Sequence, residues 1–575
     1  MTAPFLRSSA GLVIAILFAA GCSDDAADSS PEQSTTTAAA ASSGADDEEI
    51  QKGPPPPSPS ITITLSELSP IAARVVVDTV EPVTVQITAE SANHTVSTPV
   101  TAALSDTHDL PLVGLRQNSD YTVAITTTDA DGGIGQSRVQ LMTGALPDGL
   151  PELDIAIYPD QASPGITILE LNPVAANFSG EGNPIVGVDQ WGEYVWYHNA
   201  GSFTGAAQRT PSGDVAFQHD PFAFSVTDIT GRRLAEYYPD PTGADAESTA
   251  GDGTRLVPYH ADWVELGPVH HDIVPMADGS FLALSTTEHG VPAEQRAALC
   301  PGDEFEWDIF SDVIMHITAD GAVLRTWDLY DISSFEAHPG EFLCNRQGLG
   351  ITETRRDWTH ANALWFDESR DAIIVSSRHT DQLIALAMTD AAGPQTEVRW
   401  ILGNDATIPY EGETFHHTHG VKTVTGGDLL FYDNGNFRPG TLSAGGDEPD
   451  YSRAVRVSVD DSSDDPLDWT ATQVWDHRMV DPVTDLPLYA PFLSDADELS
   501  NGNILVTHGG AVIDPADFLN SHVVVVEIVP DTEAGGDEGG EIVWQLSLGD
   551  AEESVSMYRA DRWDSLYFGP LWAVE

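Results

Sequence analysis

A local phrase that begins with histidine recurs along this chain, and the recurrence restricts the fold to an array of equivalent units. His271 opens HDIVPMADGSFLAL and His419 opens HGVKTVTGGDLLFYDNG. In each phrase a glycine follows eight residues later, and an apolar strand comes next. A third copy keeps the eight-residue step from Ser494 to Gly502, and a looser copy begins at His360. Equivalent positions of repeated units meet at one place in a closed array, so we expect these side chains to converge on a site.

A second repeated phrase consists of a tight turn or short polar gap and then a strand with an aromatic residue near its end. Six copies occur at intervals of about 70 residues. Repeated four-stranded units with periodic glycine and aromatic residues are typical of a β-propeller. The sequence therefore predicts an all-β chain in which residues 149–575 form a six-bladed β-propeller, with a large irregular β-sandwich as the alternative. The aromatic residues of the six copies are Trp196, Tyr237, Trp327, Trp400, Trp475 and Trp544.

The first residues are typical of an export signal. Residues 1–21 combine Arg7 with the apolar run GLVIAILFAA, which is too short for a finished membrane-spanning helix. The run ends at AAGC, which resembles a bacterial lipobox with Ala19 where leucine is usual. We therefore predict lipidation of Cys22 and an exported lipoprotein of the bacterial cell envelope that faces the periplasm or the exterior. An ordinary signal peptide cut nearby is the alternative.

Two segments separate the signal from the predicted propeller. Residues 22–58 are rich in Ser, Thr, Ala, Asp and Glu and end in a proline run, so they predict an acidic, disordered tether. Residues 59–148 show short alternating strands, and the phrase LRQNSDYTV around Tyr121 is typical of a tyrosine corner. We therefore predict a small Ig-like or fibronectin-type β-sandwich there.

Charge and cysteine content limit the partners and the compartment. The formal net charge is −66, and the chain has only two lysines, Lys52 and Lys422, with no basic stripe. These features exclude nucleic acid as a partner, and they require a local positive cluster for any anionic substrate. Once Cys22 is lipidated, Cys300 and Cys344 remain as an even pair, which permits one disulfide in an oxidising compartment. Two free buried thiols are the alternative.

Four side chains form a constellation suited to an anion. His271, His360 and His419 lie before or within expected inner strands, and Arg378 follows the strand IIVSS, on the rim. Arginine offers planar donors for oxyanions, and a neutral imidazole can act as base, acid or nucleophile. We therefore predict a pocket for a tetrahedral anion. Hydrogen-bonded structural histidines and a rim salt bridge are the alternative.

Several motifs resemble those of the bacterial arylsulfate sulfotransferases. They are HHDI followed by DG, DWTHAN, IIVSSRH, VRWILGN, and THGV leading to LLFYDNGN, in this order. The resemblance covers the propeller from about Leu153 to the C-terminus, and the family also carries an N-terminal β-sandwich. It implies an exported enzyme that moves a sulfuryl group from one phenol to another without the nucleotide sulfate donor, a metal or another cofactor.

The resemblance also implies roles for individual residues. His419 matches the histidine that is transiently sulfated, on the strength of its sixteen-residue spacing to Gly435 and the FYDNG ending. His271 matches the histidine of the HHD phrase, His360 that of the HxN phrase, and Arg378 the arginine of SSRH. The implied mechanism runs through a sulfated histidine in two half-reactions, with ping-pong kinetics.

The chain departs from the family pattern in three places. His-His-Thr precedes His419 and Gly420 follows it, where the family often has glutamine before and an acidic residue after. The histidine run makes His417 a rival nucleophile. The close-spaced cysteine pair of some members is absent, since Cys300 and Cys344 are 44 residues apart.

The implied partners are a phenolic sulfate donor and a phenol acceptor. Trp358, Phe415, Asn362 and Ser494 lie near the motif loops and are the candidates for substrate contact, with packing as the alternative for the two aromatic residues. The membrane would be reached through the N-terminal lipid only. Family members can associate through their sandwich domains, which leaves a homodimer as an option.

Two other functions stay open at the level of the sequence. Three convergent histidines could bind zinc or copper in a metal-dependent propeller lyase or hydrolase. Arg378 counts against this, because arginine beside a divalent cation is electrostatically costly. A lipid-tethered propeller that only binds aromatic or sulfated ligands is the non-enzyme alternative, since Ser494 shows that the repeated position tolerates change.

Overall fold

A computed structural model describes most of the chain beyond the N-terminal segment. The predicted signal peptide, the lipidation site at Cys22 and almost all of the predicted tether lie outside the described residues. Within the tether, only Thr36–Thr37 and Ser58 are described. The described residues are 36–37 and 58–573, except for 158–160, 173–182, 201–203, 220–222, 238–254, 257–268, 303–305, 339–343, 345–354, 389–397, 515–516, 532–538 and 551–553.

The N-terminal strands form a β-sandwich, as predicted. Its longest strand, β3, pairs with β2 and β5 along its first half and with β4 and β6 along its second half, so it belongs to both layers. The hydroxyl of Tyr121 accepts a hydrogen bond from the backbone N–H of Arg116 at 2.9 Å, which makes the predicted tyrosine corner. The strands are β1 (Thr36–Thr37), β2 (Ser60–Leu65), β3 (Ala73–Glu90), β4 (Thr95–Ser97), β5 (Ser105–Leu112), β6 (Asp120–Asp129) and β7 (Ile134–Met142).

The remaining strands form six sheets, here numbered I to VI in chain order. Each sheet has four or five strands, and nearly all neighbours are antiparallel. The strands are β8 (Asp154–Ile157); β9 to β11 of sheet I (Ile166–Asn172, Pro184–Val188, Tyr194–Asn199); β12 to β16 of sheet II (Thr204–Arg209, Val215–His219, Ala223–Thr227, Arg233–Tyr237, Arg255–Leu256); β17 to β21 of sheet III (His270–Pro275, Phe281–His289, Asp308–Ile317, Val323–Asp328, Arg355–Asp357); β22 to β25 of sheet IV (Ala361–Asp367, Ala372–Ser377, Gln382–Ala387, Val398–Gly403); β26 to β30 of sheet V (Tyr410–Glu411, His419–Thr423, Leu429–Asp433, Arg453–Asp460, Thr470–His477); β31 to β34 of sheet VI (Asp495–Glu498, Ile504–Asp514, Asp517–Pro530, Gly540–Leu548); and β35 (Ser556–Trp563).

The two ends of this region complete each other's sheets. β8 pairs with β34 as the outer strand of sheet VI, and β35 pairs with β9 as the inner strand of sheet I. The inner strands β35, β12, β17, β22, β27 and β31 each contact the next one in this order, and β31 contacts β35. This arrangement is a six-bladed β-propeller, so the predicted fold class is confirmed.

Helical structure is sparse in the described part of the chain. It consists of one α-helix, α1 (Ala293–Leu299), and two short 3₁₀ turns, Leu329–Asp331 and Pro466–Asp468. No helix there is long and apolar enough to cross a membrane. A disulfide with an S–S distance of 2.02 Å joins Cys300, at the end of α1, to Cys344. The structure therefore contains the bond that the sequence left open.

Each sheet carries one of the six predicted aromatic residues on an outer strand, and all six are buried. In five of them the polar tip donates a hydrogen bond to a loop of the following sheet. These side chains therefore combine apolar packing with a fixed contact between neighbouring sheets. The bonds run from Trp196 to the carbonyl of Ile229, from Tyr237 to Ala319, from Trp400 to the carboxylate of Asp461, from Trp475 to Gly539, and from Trp544 to Gln190.

Carboxylates connect the sheets near the centre of the propeller. Several inner strands contain a β-bulge near the point where they begin, which leaves backbone N–H groups without a ladder partner. An acidic side chain from the preceding sheet accepts a hydrogen bond from a backbone N–H of the inner strand or, for His417, of the loop that leads into it. The bonds go to Glu170 from Ala207, to Asp272 from Leu364, to Asp312 from Ala361, and to Asp381 from His417.

The chain returns to the sandwich after β35. Trp572 is buried in the sandwich core, and the hydroxyl of Tyr567 donates to the carbonyl of Val113 at 2.9 Å. Arg116 of the sandwich also forms an ion pair with Asp189 of sheet I at 2.7 Å. The C-terminal residues therefore join the two domains.

Replacement of Glu170 by glutamine should reduce the pH dependence of stability. Burial raises the pKa of the Glu170 carboxyl to about 8, against the lowering effect of Arg559. The unfolded carboxyl titrates near pH ~4.3, so between these values the folded state holds one proton more than the unfolded state. The stabilisation by the neutral carboxyl is complete below pH ~4.3. It is lost as pH rises toward about 8, by up to about 1.4 kcal/mol per pH unit.

The measurement is urea unfolding of both proteins at about pH 5.5 and about pH 7.5. We expect the free energy of unfolding of wild type to fall more between the two pH values than that of Glu170→Gln. Glutamine keeps an oxygen that can accept from Ala207, so the variant retains the backbone contact. Equal changes in the two proteins would contradict the raised pKa.

Candidate active site

The predicted site residues lie where neighbouring inner strands begin. His419 is the first residue of β27, and His271 is the second residue of β17. His360 directly precedes β22, and Arg378 directly follows β23, which is paired with β22. The rings of His271 and His360 are 4.9 Å apart between centroids. The structure therefore brings residues from sheets III, IV and V to one end of the propeller.

The backbone at this end adopts the left-handed conformation repeatedly. The φ angles are 56° at His271, 48° at His360 and 88° at Ser494. Residues other than glycine rarely adopt positive φ angles. Gly420, directly after His419, has a φ of 59°, and a Cβ atom there would overlap the carboxylate of Asp495. Glycine at this departure from the family pattern therefore has a steric reason.

Asn434 determines which nitrogen of His419 carries the proton. The Asn434 Nδ2 group donates to the carbonyls of Ala490 and Leu493, at 2.6 and 3.0 Å. Its Oδ1 atom therefore faces Nδ1 of His419, at 2.6 Å. Because an amide oxygen can only accept, Nδ1 of His419 must donate. A neutral His419 then has its lone pair on Nε2, the form required of a nucleophile.

The environment keeps these imidazoles neutral. Burial lowers the pKa of His419 well below its usual range, and the charge of Arg378 adds to the effect. Burial also lowers the pKa of His271 strongly, together with the neighbouring His270 and His360. At neutral pH His271 and His419 are thus uncharged, beside the permanent positive charge of Arg378.

Arg378 supplies that charge from a nearly closed position, with 6 % of its surface exposed. Its backbone N–H donates to the carbonyl of His360 at 3.3 Å, and its Nη2 donates to the carbonyl of Pro491 at 2.9 Å. Arg378 thereby joins sheet IV to the loop before sheet VI. A guanidinium held among neutral imidazoles is suited to the oxygens of a tetrahedral anion.

Two carboxylates act on the histidines, and sequence reasoning did not single out either. Oδ2 of Asp357 lies 2.5 Å from Nδ1 of His360. Nδ1 of His271 lies 2.7 Å from Nδ1 of His270, whose Nε2 is 3.1 Å from Asp312. The three-residue step from aspartate to histidine in DWTH was the available signal for the first contact.

His417, the rival nucleophile, lies against a carboxylate. Its Nδ1 atom is 3.3 Å from Oδ1 of Asp381, which also contacts His416 at 3.2 Å. The ring of His417 is 6.0 Å from that of His379 and 5.5 Å from that of Phe437. These contacts place His417 at the border of the site, near a half-buried aromatic residue that the sequence did not reveal.

The four candidates for substrate contact make contacts within the protein. Trp358 is fully buried against Phe335 and donates to the carbonyl of His338, and Phe415 is buried against Phe431. These packing contacts agree with the alternative reading of the two rings, and their contact with the aryl group stays a prediction.

The two polar candidates are also engaged with backbone. Asn362 is fully buried and donates to the carbonyl of Thr418, next to His419. Its own carbonyl accepts from the hydroxyl of Tyr558, whose ring is 6.0 Å from that of His271. Ser494 accepts from the backbone N–H of Gly509 at 3.0 Å. Both residues therefore connect parts of the site, and their contact with the substrate stays a prediction.

Two groups of described residues have ligand atoms within 4.8 Å of one another, as a metal site would need. In one group, the Lys422 ammonium lies among the carboxylates, 2.9 Å from Asp495. In the other, Nδ1 of His360 is already hydrogen-bonded to Asp357. We therefore interpret the first as an internal ion pair and the second as a hydrogen-bonded pair. The groups are Asp495, Asp497 and Asp561, and Asp357, His360 and His379.

Comparison with solved structures yields distant propeller-like neighbours. A putative 6-phosphogluconolactonase from Bacteroides fragilis has 10% sequence identity and a TM-score of 0.32, over 84% of this chain and 98% of its own. The periplasmic gluconolactonase of Pseudomonas aeruginosa has 11% identity and a TM-score of 0.31, over 83% of this chain and 99% of its own. A search of curated proteins finds no match.

Family models match both domains. The Arylsulfotransferase (ASST) model matches residues 169–559, which is more than half of the chain and contains every residue of the site described above. The Arylsulfotransferase Ig-like domain model matches residues 60–144, within the sandwich. The order of the two matches agrees with the order of the domains, and the resemblance seen in the motifs is confirmed. The chain belongs to the arylsulfotransferase family.

Proposed function

We propose that this protein moves a sulfuryl group from a phenolic sulfate ester to a phenol, by way of a sulfated His419. The observation that carries the proposal is the surroundings of that ring. Asn434 holds its proton on Nδ1, and burial with Arg378 keeps the ring neutral. His271 and His360 lie beside each other in the same site. A neutral, oriented imidazole next to anion-binding groups is the arrangement that nucleophilic group transfer requires.

In the first half-reaction, Nε2 of His419 attacks sulfur in line with the bond to the aryl oxygen. Arg378, His271 and His360 surround the equatorial sulfuryl oxygens and stabilise their charge in the transition state, as positioned donors do in phosphoryl transfer. The S–O(aryl) bond breaks, and its electron pair leaves with the phenol oxygen. One of the two histidines supplies the proton that this oxygen takes up.

In the second half-reaction a phenol replaces the departed one. Its oxygen attacks sulfur while the histidine that lost a proton recovers it, and the S–N bond returns its electron pair to His419. The enzyme ends in its starting state, so no net proton is gained or lost. Separation of the transfer into two steps predicts ping-pong kinetics.

We also propose that the protein acts outside the cytoplasm and is anchored by a lipid on Cys22. The run of apolar residues before this cysteine supports export. The disulfide between Cys300 and Cys344 supports an oxidising compartment, because such bonds persist there and are rare in the cytosol.

Replacement of His419 by alanine should abolish the covalent intermediate. Wild-type protein mixed with 4-nitrophenyl sulfate and no acceptor should gain about 80 Da, the mass of one sulfuryl group, with a burst of nitrophenol. Intact-mass analysis and peptide mapping should place the group on His419. Replacement of Arg378 or His271 by alanine should slow the burst by about 10²–10³-fold.

His417→Ala is the matched control for the histidine run, and it should still form the adduct. If His419→Ala forms an adduct on His417, the assignment of the nucleophile is wrong. If folded wild-type protein gives neither adduct nor burst, the protein binds ligands without transferring the group.

Replacement of Asn434 by alanine should slow the burst by about 10²-fold or more, because Nδ1 of His419 loses the partner that fixes its proton and orientation. The measurement is stopped-flow release of nitrophenol at saturating donor. Ser452→Ala is the control, since its hydroxyl contacts the backbone carbonyls of Asn434 and Ala490 but not the ring. Similar losses in both variants would show that Asn434 only supports the loop.

Replacement of Cys22 by serine should move the protein from the membrane fraction to the soluble fraction of its bacterial host. The serine side chain cannot carry the thioether-linked lipid, while the folded domains begin well after this position. Fractionation followed by mass analysis of the N-terminal peptide measures the change. If the variant remains with the membrane, the anchor is not a lipid on Cys22.

A further inference from the structure

We propose that Asp357 and His360 form the acid–base pair of the reaction, and that this pair lets the protein use weakly acidic phenols as leaving groups and acceptors. The inference rests on the proposed sulfuryl transfer and goes further in two respects. It assigns the proton to one of two histidines, and it names a chemical class of substrate.

The geometry of the pair is direct. Asp357 is the last residue of β21, and His360 follows three positions later, just before β22. The 2.5 Å contact joins Oδ2 of Asp357 to Nδ1 of His360. An ionised carboxylate can only accept, so Nδ1 donates and Nε2 is the nitrogen that exchanges protons with a substrate. Both side chains are mostly buried, with 17% and 11% of their surfaces exposed, so water competes weakly for this bond.

His271 is connected differently. Its Nδ1 atom faces the neighbouring imidazole of His270, and the carboxylate of Asp312 is one ring farther away. Asp312 also accepts hydrogen bonds from the backbone N–H of Ala361 and from the hydroxyl of Thr359, so its charge is shared. Of the three converging imidazoles among the described residues, only His360 has a direct hydrogen bond to a carboxylate.

The hydrogen bond from His360 to Asp357 determines which imidazole can carry the proton that the leaving phenol takes up. A carboxylate on Nδ1 stabilises the imidazolium that forms when Nε2 is protonated, as the aspartate does in serine protease triads. The faces of His360 meet other rings, with His379 stacked at 4.5 Å and His271 edge-on at 4.9 Å. Burial and positive neighbours hold both of these rings in the neutral form. A protonated His360 therefore meets one carboxylate and two uncharged rings.

The proton then moves in step with the sulfuryl group. As Nε2 of His419 bonds to sulfur and the S–O(aryl) bond breaks, the electron pair on the phenol oxygen takes the proton from Nε2 of His360. In the second half-reaction the acceptor phenol gives its proton back to Nε2 of His360 while its oxygen bonds to sulfur. One proton and one sulfuryl group are exchanged in each half, so the steps balance.

Substrate acidity decides how much this proton matters. An unactivated phenol has a pKa of about 10, like the tyrosine side chain, and its anion is a poor leaving group at neutral pH. Nitrophenol is much more acidic and can leave as the anion without help. General acid catalysis is therefore worth most for unactivated phenols, typically about 10²–10⁴-fold.

The test is a leaving-group series in which Asp357→Asn is compared with wild type. The donors are 4-nitrophenyl, phenyl and 4-methylphenyl sulfate, with one acceptor at saturation and kcat/KM as the readout. We expect a loss of about 10²-fold or more for phenyl and 4-methylphenyl sulfate, and less than about tenfold for 4-nitrophenyl sulfate. Asp357→Glu, which keeps a carboxylate, should recover part of the activity toward the weakly acidic phenols.

Asp381→Asn is the matched control, because Asp381 is also a carboxylate between histidines, His416 and His417, but it does not contact His360. Its losses should be equal across the series. In Asp357→Asn combined with His360→Ala, the aspartate change should add no further loss, since the two residues act as one unit. The nitrophenol burst shows in every variant that the protein is folded and that His419 is sulfated.

The outcomes separate the two proposals. Equal losses for all donors in Asp357→Asn, or full additivity in the double variant, would overturn the acid–base pair while sulfuryl transfer stands. No covalent adduct in wild type would overturn the transfer itself.

Discussion

The hydrogen bond from a backbone N–H of one inner strand to a carboxylate of the preceding sheet is the interaction on which the site depends. Bulges interrupt the strand pairing near the beginning of these strands, for example between His270 and Ile273 and between His419 and Lys422. Buried N–H groups are costly without an acceptor. Glu170 and Asp312 accept from Ala207 and Ala361, which lie at such bulges, across sheet boundaries. The same contacts therefore stabilise the propeller and set the positions of the catalytic strands.

Electrostatics in this protein work on two scales. The chain as a whole carries a charge of −66, which opposes the approach of a sulfate ester. Within the site, burial holds His271 and His419 neutral beside the positive charge of Arg378. Charges close to the substrate decide its binding, since exposed charges more than about 8 Å away are largely screened at physiological ionic strength. The acidic surface and an anionic substrate are therefore compatible.

Much of the fold could be predicted because its signals are local. The six aromatic residues recur once in each sheet, as the repeat indicated, and each lies on the fourth strand from the centre. The histidine phrases indicated the site for the same reason. The burial of Trp358 and Phe415 could not be predicted, because nearness to a motif does not show which side of a strand a ring occupies. The contact between Asn434 and His419 depends on how β27 pairs with β28, and no spacing in the sequence specifies it.

The arrangement of the chain ends has a consequence for biogenesis. The inner strand of sheet I is β35, and the outer strand of sheet VI is β8, some four hundred residues earlier. A nascent chain can build sheets II to V in turn, but it cannot complete the first or the last until its final residues have been made. Tyr558, beside His271, lies on that last strand. The proposed catalytic centre thus assembles only after β35 has been made, and a fragment released earlier in synthesis would lack it.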